Sequence, residues 1–518
     1  MESTIYSIIP PLLAIIMVIV TRRVLLSLGI GIITSALLLA QFNVVDTGLI
    51  IGDAMKGLVI DDGSLDTWNL FIILFLLILG VLTAFIQISG GSRAFGDWAI
   101  KRVKTRVGAQ VLTILFGMLI FIDDYFNSLA VGQVSRPITD RHRISRAKLA
   151  YLIDSTSAPV CVVSPVSSWG AYIIGIIGTI FTAHGITEYT PFMAFLKMIP
   201  MNIYAWITLA FVFIVALKRI DIGSMKDHEK RAIETGETFN PDKKIPGELK
   251  DHLPVSEKGR ATYLIWPILI LIIATVLLMF LTGYRASSGN VHLLDILNNT
   301  DVAKSLFYGG MISLATIFFF FFKQKDVFKV NIFIAGLKEG IKSMIPAVLI
   351  LLFAWMIADL IDQLQTGTYL AGLVEKANIS TSFLPVLLFI IAGLMAFSTG
   401  TSWGSFGILL PIAGEIAVVT DLSLLLPSMA AVLAGAVFGD HCSPISDTTI
   451  LSSTGAGSNH IDHVMTQLPY ALLAALITSI GYILLGVTGN TWFALMISFI
   501  ILFLITFVLQ RRGSTENK

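Results

Sequence analysis

The residues able to do chemistry in this 518-residue chain cluster in four short stretches. "FIDDYFNS" (121–128) sets Asp123 beside Asp124 and follows them with Asn127 and Ser128. "DSTSAP" (154–159) places Asp154 ahead of Ser157 and Pro159. "FSTGTSWGS" (397–405) offers Ser398, Thr399 and Thr401 without a carboxylate. "FGDHCSPISDTTILSSTGAG" (438–457) carries Asp440, His441, Ser443, Asp447 and Thr448. Carboxylates surrounded by hydroxyls, and by carbonyls that proline and glycine release from helices, form a hard oxygen donor set. Such a set suits a small hard cation such as Na⁺. The same carboxylates take up protons, and two adjacent carboxylates away from water cannot both be charged without a compensating ion. These fourteen residues are the expected ion- or substrate-binding set, with Asp123, Asp154, Asp440 and Asp447 as Na⁺ ligands. His441 is read as a proton sensor or as a hydrogen-bonded structural histidine. One of the Asp123–Asp124 pair has a second reading as the cap of the helix that follows.

The elements that must position them lie in a membrane. The chain is 55% hydrophobic with mean hydropathy +0.83 and is only 13% charged, about half the usual share of ~25%. No charged residue falls between Asp462 and Arg511, and a carboxylate within such segments is costly and marks function. The expected fold is an all-α polytopic membrane protein of about eleven transmembrane helices, the first at 5–20 and the last at 490–510. Of 35 Lys and Arg, 30 fall at 22–23, 91–107, 136–148, 218–260, 323–343 and the C-terminal tail. The positive-inside rule puts these in the cytoplasm, with the N-terminus outside and the C-terminus inside the cell membrane. There is no HExxH metal motif and no GxxxxGK[ST] phosphate loop, so neither an enzyme nor a cofactor is expected. Cys161 and Cys442 are read as small residues fitting tight sites.

Two basic clusters, 91–107 and 136–148, flank one apolar stretch, 108–135. With both flanks on one side, that stretch must enter and return, as a re-entrant hairpin tipped by "FIDDYFNS". The same reasoning makes 381–420 a hairpin from the other side, tipped by "FSTGTSWGS". "SAPVCVVSPVSSWG" (157–170) aligns weakly with "CSPISDTTILSSTG" (442–455), matching Pro159 to Pro444 and Gly170 to Gly455. The expected organisation is therefore two inverted repeats. Repeat 1 is 1–217, with hairpin 108–135 and broken helix 148–183. Repeat 2 is 261–518, with hairpin 381–420, broken helix 426–458 and an extra C-terminal helix. A cytosolic linker, 218–260, joins them. Inverted repeats with broken helices at the midplane are a design of secondary transporters.

The stretch "FIDDYFNSLAVGQVSRPITDRHRISRAKLAYLIDSTSAPVCVVSPVSSWGAYI" and the segment 438–457 resemble the NhaC-type sodium/proton antiporter family, within the ion-transporter group with paired re-entrant hairpins, over about residues 65–485. The resemblance implies Na⁺/H⁺ exchange by alternating access. Relatives that carry amino acids or organic acids keep open a Na⁺- or H⁺-coupled carrier or exchanger of a small organic solute. An intramembrane aspartyl protease fits the proline–serine breaks less well, and two closed-ended hairpins meeting at the midplane favour alternating access over a passive channel. The expected partners are Na⁺, H⁺, a small organic solute under the second reading, and lipid; a homodimer is one assembly left open.

Overall fold

The computed structural model describes residues 4–516 apart from 22, 62, 63, 66, 122, 166, 241, 242, 244–253, 288–291, 294, 295, 297, 298, 325, 326, 328, 367, 368, 370, 371 and 373–379. The described chain is helical apart from a two-residue antiparallel ladder, Ile60–Asp61 with Ser64–Leu65. In order the helices are α1 (Ile9–Thr21), α2 (Val24–Leu39), α3 (Val44–Gly57), α4 (Thr67–Ile88), α5 (Gly91–Ile100), α6 (Arg106–Leu119) and α7 (Asp124–Arg141). Then come α8 (Arg146–Asp154), α9 (Ala158–Cys161), α10 (Ser168–Ala183), α11 (Pro191–Met198), α12 (Ile203–Lys218), α13 (Ser224–Glu234) and α14 (Thr262–Ala286). The remainder are α15 (Val302–Lys323), α16 (Val330–Gln363), α17 (Leu384–Thr399), α18 (Ser402–Thr420), α19 (Leu425–Cys442), α20 (Asp447–Ala456), α21 (His460–Thr488) and α22 (Thr491–Glu516).

Among the described residues, eight helices are long and apolar enough to cross a membrane, and a ninth span forms if α11 and α12, bent by 44°, count as one. The protein is an all-α polytopic membrane protein. The segments expected at 5–20 and 148–183 are built from shorter helices. The peripheral helices turn Leu, Ile and Phe outward, Leu277 on α14 and Phe503 on α22 among them, as lipid contact requires. By contrast 83% of the most apolar window of α19 is buried inside the protein, so α19 is a central element.

Both expected hairpins fold back. The ends of the α6–α7 unit are held by one side chain: Glu229 on α13 accepts 2.5 Å from Arg106 Nη2, at the start of α6, and 2.7 Å from the Ser145 amide, just past α7. His142 Nε2 lies 2.9 Å from the Val103 carbonyl, closing the same neck. At the tip, Asn127 Nδ2 donates to the carbonyls of Gly117 (2.6 Å) and Ile120 (2.7 Å), tying the second arm to the first. In the second unit, Gly435 of α19 sits against Phe389 of α17, and Gly439 against Gly393 and Phe397, so α17 and α19 run parallel. The intervening α18 must return between them. Its reversal is made at Gly400, whose φ of +74° is the left-handed region that glycine tolerates best.

The basic segment 323–343 is partly helical, because α16 already begins at Val330 and no proline falls in it before Pro346. The broken helix expected at 426–458 is α19 plus α20, with the break at 443–446, and it ends where Asn459 caps α21, its side chain accepting from the Asp462 amide. In the described part of the 218–260 linker, α13 docks on the helix ends through Glu229, and Asp221 takes Lys148 at 2.8 Å. Unpaired, the buried Lys148 would be costly, which gives the linker a structural duty.

Each large core mixes the two halves of the sequence. One packs α8–α12 with α17–α19, α21 and α22; the other packs α4, α5 and α7 with α14–α16.

Candidate functional site

The site is built around the break between α19 and α20. Helix α19 stops at Cys442 because Ser443 precedes Pro444 and takes extended geometry, φ −77° and ψ 129°. Ser446 restarts the chain as the cap of α20, accepting from the Thr449 amide. This leaves Asp440 in the last turn of α19, facing the start of α20. Its Oδ2 accepts from Ser402 Oγ at 2.7 Å, and its Oδ1 accepts from Thr448 Oγ1 at 2.9 Å and from Ser446 Oγ. A carboxylate at a helix N-terminus is favoured by the free amides and the helix dipole. Asp447, the first residue of α20, accepts the Thr448 amide at 2.8 Å and the Tyr125 hydroxyl.

Asp154 enters from α8. Its Oδ2 accepts from Gln467 Nε2 at 2.5 Å and lies 3.1 Å from His463 Nε2; its Oδ1 accepts from Ser452 Oγ at 3.1 Å. Thr449 Oγ1 reaches both Asp154 Oδ2 (3.4 Å) and the Asp440 carbonyl (3.3 Å). Each of the three carboxylates thereby accepts from a donor on α20, a hydroxyl for Asp154 and Asp440 and a backbone amide for Asp447, and all three are buried.

Both tips meet this break. Tyr125, two residues past Asp123, bonds Asp447, and the Asp447 amide donates to the Gly400 carbonyl at 3.4 Å. Ser128 Oγ lies 3.0 Å from Ser157 Oγ and 3.1 Å from Ser452 Oγ, and Ser157 Oγ donates to the Asp124 carbonyl at 2.7 Å. Asp124 Oδ1 accepts from Trp169 Nε1 at 2.9 Å, and Trp169 meets Trp403 of the second tip with ring centres 5.8 Å apart. The approach is close because Gly132 of α7 and Gly455 of α20 cross backbone to backbone: a Cβ on Gly132 would stand 2.4 Å from the Gly455 carbonyl carbon.

Asp123 is buried beside Asp124 and immediately precedes α7, its carbonyl accepting from the Asn127 backbone amide. Three buried acceptor oxygens, Asp124 Oδ2, Asn127 Oδ1 and Gln467 Oε1, have no hydrogen-bond donor among the described residues. Buried acceptors are seldom left so, and oxygens without donors are what a cation takes. No three His, Cys, Asp or Glu side chains form a metal cluster among the described residues; a cation here would rely on hydroxyl, amide and carbonyl oxygens for most of its shell.

Not every expected residue joins the cluster through its side chain. Ser398 and Thr399 bond back to the Met395 carbonyl, Thr401 begins α18 without a side-chain cap bond, and Ser443 ties to the Phe397 carbonyl. A serine or threonine inside a helix commonly satisfies itself this way. His441 sits between Tyr204 OH (2.8 Å) and Ser155 Oγ (3.2 Å) rather than on a carboxylate. Ser402, Tyr125, Ser452, His463 and Gln467 complete the cluster and were not anticipated. For Ser402 and Tyr125 a signal existed, since both lie inside the quoted tips; the α21 pair is separated from Asp154 by some three hundred residues of sequence.

Residues 160–487, more than half of the chain, match the Na⁺/H⁺ antiporter family. An uncharacterized protein of Haemophilus influenzae is 48% identical over 99% of this chain and 96% of its own length. A malate-2H⁺/Na⁺-lactate antiporter of Bacillus subtilis is 36% identical over 29% of this chain and 31% of its own. An uncharacterized Na⁺/H⁺ antiporter of Haemophilus influenzae is 33% identical over 27% of this chain and 30% of its own.

Proposed function

Since the chain belongs to the Na⁺/H⁺ antiporter family and is a multi-pass secondary transporter, we propose that it exchanges Na⁺ for H⁺ at one site formed by Asp440, Asp447, Asp154 and the first tip. The observation that carries this reading is the convergence of both tips on the α19–α20 break, where linked carboxylates lie near acceptor oxygens that lack donors. Na⁺ binds with these carboxylates charged. Protonation removes the charge that holds it. Binding of one cation therefore requires departure of the other, and a carrier that changes its open side only when loaded couples the two fluxes. Because each core mixes the halves, the moving unit in this reading is a packed body drawn from both repeats. The inverted-repeat relation, the cell membrane as location, and the cytosolic placement of the basic loops and C-terminus belong to the same proposal.

The test is flux in proteoliposomes. An outside Na⁺ pulse should alkalinise the lumen of Na⁺-free vesicles, as a trapped pH dye would report; the absence of any proton movement would reject the exchange. A second reading, coupled exchange of a small organic acid, is favoured by the Trp169–Trp403–Tyr172 wall beside Asp124 and by the malate and lactate for which the Bacillus subtilis relative is named. Proton movement appearing only when malate or lactate is supplied would select it.

A further inference from the structure

Three long apolar helices end at one corner of the molecule, around Ser89. The Ser256 amide, just ahead of α14, donates to the Ile88 carbonyl at the end of α4 at 2.8 Å. Gln324, just past α15, donates from Nε2 to the Ser89 carbonyl at 3.1 Å. Gly90, at φ +71°, lies backbone to backbone with Gly259: a Cβ on Gly259 would stand 2.5 Å from the Gly90 carbonyl oxygen. The three ends are therefore held at one level. Helix α5 leaves from the same turn, with Phe95 buried, Arg93 and Trp98 exposed, and Arg93 Nη2 donating to the Glu257 carbonyl at 3.4 Å.

Each end carries exposed cations beside its apolar helix. Lys101, Arg102 and Lys104 follow α5, Lys258 and Arg260 precede α14, and Lys323 closes α15. No carboxylate among the described residues forms an ion pair with any of these six. Of the acids in the same segments, Asp97 is taken by Arg141, which leaves Glu257 against six cations. The neighbouring basic residues differ: Arg106 is held by Glu229, Arg146 by Asp140 and Lys148 by Asp221. Positive charge is thus neutralised internally around α8 and left outward around α4, α14 and α15. Exposed rings stand beside it, with Arg102 over Trp98 at 4.3 Å and Lys323 Nζ over Phe319 at 4.1 Å.

We propose that this corner is a docking surface for anionic phospholipid headgroups. Lys and Arg at the ends of spans meet headgroup phosphates, and tryptophan favours the same depth. Charge-assisted bonds to phosphate oxygens are the contact these side chains offer. Lys323 and Arg102 lie along apolar rings with their charges outward, as side chains do at a membrane surface. The surface runs the length of α5, roughly 15 Å. It is therefore a strip for neighbouring headgroups rather than a pocket for one soluble ion. It holds whichever solute the protein exchanges, so it does not depend on the Na⁺/H⁺ reading.

The experiment titrates the full-length chain in neutral detergent with phosphatidylglycerol or phosphatidylcholine and counts bound lipid by native mass spectrometry. Phosphatidylglycerol should bind the more tightly. The double variants Lys101→Gln with Lys104→Gln, and Lys258→Gln with Arg260→Gln, should each weaken it by about fivefold per charge removed. Phosphatidylcholine binding should not change in either. Lys304→Gln, exposed at the opposite end of α15, is the control and should bind as the wild type does. Equal affinity for the two lipids, wild-type affinity in both double variants, or an equal loss in Lys304→Gln overturns the proposal. Displacement of phosphatidylglycerol by an equal concentration of inorganic phosphate would also overturn it, by showing that a soluble anion suffices.

Discussion

Among the described residues, the Asp440 carboxylate is met by hydroxyls alone. Three hydroxyls, from Ser402, Ser446 and Thr448, address its two oxygens, and each comes from the second tip or from the break. Asp440→Asn keeps the shape and removes the charge. It should reduce Na⁺-driven proton movement to the level of protein-free vesicles while size-exclusion behaviour stays that of the wild type; normal exchange would make Asp440 structural. Tyr125→Phe tests the link to the first tip in another way. Without the hydroxyl, Asp447 loses its partner on α7, and a buried hydrogen bond to a charged group is worth about 1.5–3 kcal/mol. The variant should therefore shift the Na⁺ half-saturation, whereas an unchanged half-saturation would detach that tip from the cation. The carboxylates themselves were legible from sequence because an aspartate in an apolar segment needs a reason. The hydroxyls of Ser398 and Thr399 donate to the Met395 carbonyl of their own helix, a local bond that their place beside a tip does not reveal.

At the scale of the elements, the site depends on how closely α7 approaches α20. Gly132 and Gly455 touch through their backbones, so an added methyl has no flexible side chain to displace. Gly132→Ala should lower the thermal midpoint, with a cost of about 1–3 kcal/mol for overpacking. Gly48→Ala on α3, where a Cβ would meet nothing within 4 Å, is the control and should leave the midpoint unchanged or slightly raised. Equal effects of the two would mean that the crossing is not tight. The reversals between α6 and α7 and at Gly400 were legible, the first from basic residues on both flanks and the second from the glycine-rich tip. The start of α16 was not, because lysines such as Lys338 and Lys342 read as loop although they are good helix formers. The docking of α13 was hidden for a related reason: a nearly charge-balanced linker gives no hint that Glu229 will pin two distant helix ends.

For the whole molecule, the interleaved cores set what can move. Helix α4 from the first half packs with α14–α16 from the second, and α12 packs with α19 and α21. No sequence pattern announces such exchange, since apolar periodicity reports that a face is buried but not against what. The hairpin geometry places residues 98–106 and 138–146 at one end of the molecule, joined through Glu229 and through the contact of Asp97 with Arg141. Single cysteines placed in either range should then react with an impermeant thiol reagent from the cytosolic side alone. Labelling from opposite sides would undo the topology. If Na⁺ and H⁺ compete for one carboxylate site, Na⁺ half-saturation in proteoliposomes must depend on pH. The half-saturation should rise as pH falls, by up to about tenfold per unit where one proton displaces one Na⁺, and Asp124→Asn should flatten that rise. A wild-type half-saturation that does not move with pH would contradict the shared site and require separate paths for the two ions.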